Sequence, residues 1–321
     1  MAAVMEVVLT IAGPVFGIAL LGYIAQRVGW LQEGASQTLA AFVFNFAVPA
    51  LLFRSTAREP LPSDLPLQFL ASYYLPTFAL YIAAALTARH FFKRSAMEGV
   101  IAGMATSYAN VVMFAMPVVL TAFGTEASQP FFLLLAFHSL LLFAFTTLWL
   151  EAVKAREGAE RVSLAAQFGR IGKSLFANPI VLSLILGVAY GQTGWGLAAP
   201  LDRFLELLAL AVTPCALFGT GAALCQYRLG GDLLEATGVS LGKLVLHPLI
   251  VWLAMTFLFD LPPLWVAVGT MTAAMPVGVN VYLFSERYGI YQRRAGSAVL
   301  ITSGLAMITV TLLLVLLGAG E

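Results

Sequence analysis

The stretch "AAMPVGVNVYLF", Ala273 to Phe284, lies in an uncharged run between Asp260 and Glu286. That run is long enough to cross a bilayer. A proline inside a helix removes its own N–H and strands the carbonyl four residues earlier. An asparagine in hydrocarbon seeks up to four hydrogen-bond partners. Non-helical backbone survives at membrane depth only when it is buried in protein or faces a watery cavity. The stretch therefore reads as an interrupted membrane helix with something to bind.

The rest of the chain supports a membrane setting. Of its 321 residues, 60% are hydrophobic and 10% charged, with a mean hydropathy of +0.91. Soluble domains carry about 25% charged residues. This composition specifies an all-α, polytopic membrane protein. The net charge of +1 and scattered basic residues leave no nucleic-acid footprint. The two cysteines, Cys215 and Cys225, share one predicted helix. Ten helical residues hold them about 15 Å apart, too far for a disulfide.

Apolar segments run over 6–26, 36–54, 67–89, 98–123, 130–151, 174–192, 203–225, 238–259, 263–285 and 295–318, ten in all. The first has no Lys or Arg before it, so it reads as a spanning helix rather than a cleavable signal. Thirteen of the seventeen Lys and Arg residues fall in loops after odd-numbered segments. Three (Arg54, Arg58 and Arg203) lie on the opposite side, and Lys243 lies within a segment. That bias puts the odd loops in the cytoplasm and both termini outside.

The longest cytoplasmic connection divides the chain nearly in half. It predicts a first five-helix repeat over 1–155 and a linker over 156–173 with an amphipathic stretch on the inner surface. A second five-helix repeat over 174–321 follows. Five spans per half insert the halves in opposite senses, which makes any shared fold an inverted repeat. Two pairs of segments carry matching defects. Segment 2 ("FNFAVPALLF", Pro49) matches segment 7 ("LALAVTPCALF", Pro214), and segment 4 ("SYANVVMFAMPVV", Pro117) matches segment 9 (Pro276).

The candidate site follows from these defects. Pro117, Pro276 and Pro49 are expected to free the carbonyls of Met113, Thr272 and Asn45. Half-helices starting near Pro117 and Pro276 would aim their electropositive N-termini at the membrane centre and favour an anion, most simply a carboxylate. Gly278 would allow close approach of a ligand or backbone. Asn110 and Asn280 would orient what binds; Asn45, Ser107, Tyr108 and Tyr282 could complete the polar group. Each has a bland alternative: a packed kink for the prolines, or interhelical glue worth about 0.6 kcal/mol for an asparagine.

No Asp or Glu falls in the middle of a segment. Coupling is therefore either absent or uses sodium or a proton bound without carboxylates. Lys243 and His247, one turn apart, form the remaining titratable pair and a candidate charge partner, unless Lys243 snorkels to the inner boundary. His138 reads as a packed, hydrogen-bonded residue rather than a proton relay. Zinc, nucleophile-elbow and phosphate-loop motifs are all missing, which points to no enzyme, no cofactor and no metal.

At these residues the sequence resembles the auxin efflux carrier family, in the bacterial branch that includes malonate carriers. The resemblance rests on "LLGYIAQRVGWL" (20–31), "FNFAVPALLF" (44–53), "NPIVLSLILG" (178–187), "KLVLHPLIVW" (243–252) and "MPVGVNVYLFSERYG" (275–289). It implies ten helices in two inverted five-helix repeats, with helices 4 and 9 broken and crossing. It also implies a scaffold and a mobile transport domain interleaved across both repeats and working as an elevator. The crossover prolines would be Pro117 and Pro276, and the binding asparagines Asn110 and Asn280. The implied setting is a bacterial cytoplasmic membrane, with malonate or another small organic acid as substrate and homodimer pairing through the scaffold left open. The alternative is a membrane sensor that binds a carboxylate without moving it.

Overall fold

The structure, a computed structural model, describes residues 8–58, 66–157, 169, 172 and 177–318. The expected amphipathic stretch of the 156–173 linker lies outside the described residues, apart from the isolated positions 169 and 172. Among the described residues there are twelve helices. They are α1 (Leu9–Arg27), α2 (Ala35–Arg58), α3 (Leu67–His90), α4 (Ala96–Ser107), α5 (Val111–Phe123), α6 (Thr125–Arg156), α7 (Pro179–Gly191), α8 (Ala199–Leu224), α9 (Leu233–Leu258), α10 (Pro263–Ala274), α11 (Val279–Tyr288) and α12 (Gln292–Leu316). Seven of them (α1, α2, α3, α6, α8, α9 and α12) are long and apolar enough to cross a membrane; α5, α7 and α10 are shorter apolar helices. The chain is a multi-pass membrane protein.

Local chemistry sets the ends. Ser95 and Glu98 form a reciprocal capping box at the start of α4. The Asp232 side chain caps α9, Asn178 caps α7 ahead of Pro179, and Gly289 at φ 67° ends α11. Four prolines inside the helical rods share one device. Pro14, Pro49, Pro117 and Pro248 each sit two residues beyond a single π-helical turn, at Val8–Ala12, Val43–Ala47, Val111–Ala115 and Gly242–Leu246. The wider turn moves the upstream carbonyl off the pyrrolidine ring, so the rod continues. This corrects the expectation for Pro49 and Pro117: both are absorbed within continuous helix. Pro214 lies in α8 three residues after a one-residue turn at Ala211, which separates Ala199–Leu210 from Val212–Leu224.

Two close helix crossings organise one side of the molecule. Helix α1 packs on α8 through Gly22 against the Phe218 carbonyl and Gly221 against the Ala19 carbonyl. Helix α7 packs on α2 through Gly187 against Thr56 and Phe53. A Cβ at any of the three glycines would overlap its neighbour, so only glycine allows that approach. On the other side, α3 packs on α4, α9 on α10, and α12 on α9, α10 and α11.

Charge is concentrated at the helix ends. Arg94 bonds Glu235 and Asp232, both at 2.7 Å, while Arg294 reaches Glu98 at 3.2 Å and the Tyr291 hydroxyl donates to Glu235 at 2.8 Å. Glu235 is only 1% exposed. Burial alone would lower the Arg94 guanidinium, but its carboxylate partners outweigh that and raise it above its ordinary value. The network fastens the first turns of α4, α9 and α12 together. Elsewhere, Arg54 at the end of α2 grips Asp202 at the start of α8 with two nitrogens, at 2.9 and 3.2 Å.

Candidate functional site

Two chain interruptions meet. Helix α4 stops at Ser107 and α5 starts at Val111; α10 stops at Ala274 and α11 starts at Val279. The intervening backbones pair as an isolated antiparallel bridge, Ala109 opposite Val277. Asn110 N–H donates to the Pro276 carbonyl at 3.0 Å, and Gly278 N–H donates to the Tyr108 carbonyl at 3.1 Å. Because the bridge is antiparallel, α4 ends beside the start of α11 and α10 ends beside the start of α5, and both pairs pack together. Two helix N-termini and two C-termini therefore converge on a few residues.

Buried breaks leave polar backbone that must be satisfied. The Ala109 N–H donates to His138 Nε2 on α6 at 3.2 Å, and the Val277 N–H donates to Thr302 Oγ1 on α12 at 3.1 Å. In both cases the acceptor comes from the second helix after the break. The Ala273 carbonyl, one residue before the end of α10, accepts from Lys243 Nζ. Lys243 is fully buried, so it does not snorkel. Its Nζ also lies 3.1 Å from His247 Nδ1, and His247 Nε2 lies 2.9 Å from Thr77 Oγ1. Thr77 in turn donates to the Tyr73 carbonyl at 2.6 Å. Thr77 gives its proton to the Tyr73 carbonyl, so its oxygen accepts from the Nε2–H of His247, and Nδ1 accepts from Lys243 Nζ.

The sequence-derived residues divide on inspection. Tyr108 is 2% exposed. Its ring stacks on Phe143 at 5.2 Å and its hydroxyl sits 2.8 Å from Ser139 Oγ. Asn280 Nδ2 donates to the same hydroxyl at 3.0 Å. Asn110 lies at the start of α5 with its side chain making no hydrogen bond among the described residues. Ser107 is buried and its Oγ has no partner among the described residues. Pro276 and Gly278 belong to the second interruption itself. Pro117 does not: the first interruption falls at Tyr108–Asn110, seven residues before it.

Asn45 is also elsewhere, exposed on α2 and bonded to the Ala41 carbonyl at 2.8 Å. A side chain returning a hydrogen bond to its own preceding turn carries no signal in sequence that separates it from a ligand-facing asparagine. Tyr282 packs edge-on against Tyr227 at 5.1 Å rather than at the bridge. Thr302, Ser139 and Thr77 escaped notice because hydroxyl side chains are common in membrane helices and carry no spacing signature. Tyr73 Oη, His138 Nδ1 and Thr270 Oγ1 add to Ser107 as buried polar atoms without partners among the described residues, and the Tyr73 and His138 rings lie 6.2 Å apart. Buried polar atoms of this kind are uncommon in a folded interior.

Gly278 is the tightest fit at the bridge. A Cβ there would lie 2.5 Å from Tyr108 Cδ1 and Cε1. Its φ of −69° is ordinary, so space rather than backbone freedom demands glycine. Gly278→Ala is expected to displace the Tyr108 ring, loosen the Asn280 bond and destabilise the fold by about 1–3 kcal/mol. Thermal unfolding of the purified variant measures it, and an unchanged melting temperature would show that the ring yields freely.

Comparison with known proteins covers almost the whole chain. A family model described as "Membrane transport protein" matches residues 6–314. A Rhizobium meliloti (strain 1021) protein named "Putative malonate transporter" is 31% identical over 311 residues, which is 96% of this chain and 95% of that protein. The uncharacterized transporter YfdV of Escherichia coli (strain K12) is 23% identical over 92% of each chain. An uncharacterized transporter of Methanothermobacter thermautotrophicus is 28% identical over 73% of each.

Proposed function

We propose, from the premise that this chain belongs to the membrane transport protein family of auxin efflux carrier type, that the bridged interruptions form its substrate site. The substrate we infer is a small organic anion of the malonate class. That the protein is a membrane transporter follows from the family; substrate, route and mechanism are the proposal.

One observation carries it. Two helix N-termini and the asparagines Asn110 and Asn280 lie at a single backbone bridge, where no acidic side chain intervenes among the described residues and Lys243 is buried beside the end of α10. Each N-terminus contributes roughly half a positive charge and unpaired N–H groups. This environment favours a carboxylate over a cation or a neutral solute. The malonate reading is supported by the name of the Rhizobium relative.

The mechanism we propose is alternating access by an elevator-like shift. On this reading α4 with α5, and α10 with α11, each count as one crossing, giving ten crossings in two inverted repeats. Repeated packing supports the symmetry: α1 on α8 is answered by α7 on α2, and α3 on α4 by α9 on α10. His138 serving Ala109 is answered by Thr302 serving Val277. The glycine-stapled group α1, α2, α7 and α8 would be the scaffold, and the group around the bridge would move.

The test is uptake of radiolabelled malonate into proteoliposomes, with acetate and succinate as competitors and choline replacing sodium in a parallel series. Saturable uptake competed by small carboxylates is expected. Thermal stabilisation by malonate without any uptake would instead identify a sensor, and the absence of both would remove the anion site.

A further inference from the structure

A second cavity lies away from the bridge, along the seam between α1 and α12. Its upper part, about 740 Å³, is lined by Tyr23, Arg27, Cys225, Tyr227 and Arg228, with Leu300, Ile301, Gly304 and Leu305 on α12. A second part, about 610 Å³, continues along Gly13, Phe16, Gly17 and Leu20 of α1 and Met307, Ile308 and Leu312 of α12. The two share Tyr23, Leu224 and Gly304, so they form one groove. Leu20, Met307, Ile308 and Leu312 are between 57% and 59% exposed, which opens the lower groove sideways to the surroundings of a membrane helix bundle. Helix α1 packs mainly on α8, and α12 on α9, α10 and α11; α1 and α12 meet at the first turn of α1, up to Ala12, and the seam opens beyond that contact.

The groove is amphipathic lengthwise. One end carries two arginines that form no ion pair among the described residues; the remainder is apolar. From Arg27 to Gly13 the helix rises about 21 Å, enough for an extended acyl chain. A soluble dicarboxylate would use the arginines and leave the apolar length empty. An uncharged lipid would fill the length and leave two cations unpaired. We infer that this seam is a binding site for an anionic phospholipid, with its phosphate on Arg27 and Arg228 and an acyl chain along Gly17, Leu20, Ile308 and Leu312. The inference goes beyond the proposed carrier role and does not depend on it.

The experiment titrates the purified protein in detergent with phosphatidylglycerol, phosphatidylcholine, or soluble glycerol phosphate, reading thermal unfolding. A ligand of the native state raises the apparent melting temperature. Phosphatidylglycerol is expected to stabilise saturably, and the other two little. The Arg27→Gln/Arg228→Gln double variant should need roughly tenfold or more phosphatidylglycerol for the same shift, since each basic residue near an anionic head group adds to the attraction. Ile308→Trp fills the exposed groove wall without touching the arginines and should weaken the shift as well; it keeps the test open if the double variant fails to fold. Equal stabilisation by phosphatidylcholine, a full effect from glycerol phosphate alone, or an unchanged phosphatidylglycerol shift in Ile308→Trp or in a folded double variant would overturn the site.

Discussion

Malonate uptake by Asn280→Ala is expected to fall at least about tenfold, while the purified variant stays folded. The side chain donates to Tyr108 Oη at 3.0 Å and is half-exposed at the first turn of α11. Removing one neutral hydrogen bond costs about 0.5–1.5 kcal/mol of stability, which a well-packed bundle tolerates. Losing a donor that orients an anion between helix ends costs a similar free energy in binding, and 1.4 kcal/mol is a factor of ten. Tyr108→Phe separates the two roles. It deletes the same intraprotein bond, along with the one to Ser139, but leaves the Asn280 amide free for substrate. If Asn280 acts on substrate, Tyr108→Phe retains much more uptake than Asn280→Ala. Equal losses in both variants would reduce Asn280 to a structural role. Asn110→Ala, which breaks no side-chain hydrogen bond, should lose uptake with almost no change in melting temperature.

The second large effect concerns Lys243. Lys243→Met keeps the apolar stem and removes the amine. The Ala273 carbonyl and His247 Nδ1 then lose their donor inside the protein. Leaving a buried acceptor unpaired costs about 1–3 kcal/mol, so the melting temperature falls. The larger consequence is expected in transport. The described residues contain no group of three or more acidic, histidine or cysteine side chains that could hold an ion, and Lys243 has no carboxylate partner among them. A proton taken up by this amine would balance an incoming anion, so uptake should drop well beyond what the stability loss explains. Malonate stabilisation measured on the same variant distinguishes the cases: a lost thermal shift assigns Lys243 to binding, whereas a retained shift with lost uptake assigns it to the moving step. Wild-type uptake would exclude both.

The location of the second interruption was legible in sequence because three unfavourable features coincide within five residues. Pro276, Gly278 and Asn280 each weaken a membrane helix, and no ordinary packing demand calls for all three. The first interruption was misplaced for the converse reason. Pro117 looks like a breaker, yet a π-helical turn upstream accommodates it, while "SYAN" at Ser107–Asn110 contains no residue that forbids a helix. Ala109 leaves the helix because Val277 and His138 offer its backbone better partners than its own turn does. Those partners lie 168 and 29 residues away in the chain. The snorkelling alternative for Lys243 failed similarly, since the Ala273 carbonyl that holds it exists as a free acceptor only because α10 stops.

By itself, the sequence determined what depends on composition and local periodicity: a helical membrane protein, its apolar segments, their charge bias and the most strained of them. Hydrophobicity and proline geometry act over one helix and need no neighbours. Which helix ends meet, which asparagine faces the bridge and which faces away, and where a buried amine finds a carbonyl were decided only in tertiary structure. Those outcomes depend on hydrogen bonds between segments far apart in the chain. A backbone group inside a membrane protein takes whichever partner the packing brings within 3 Å or so, and no local pattern announces which one that is.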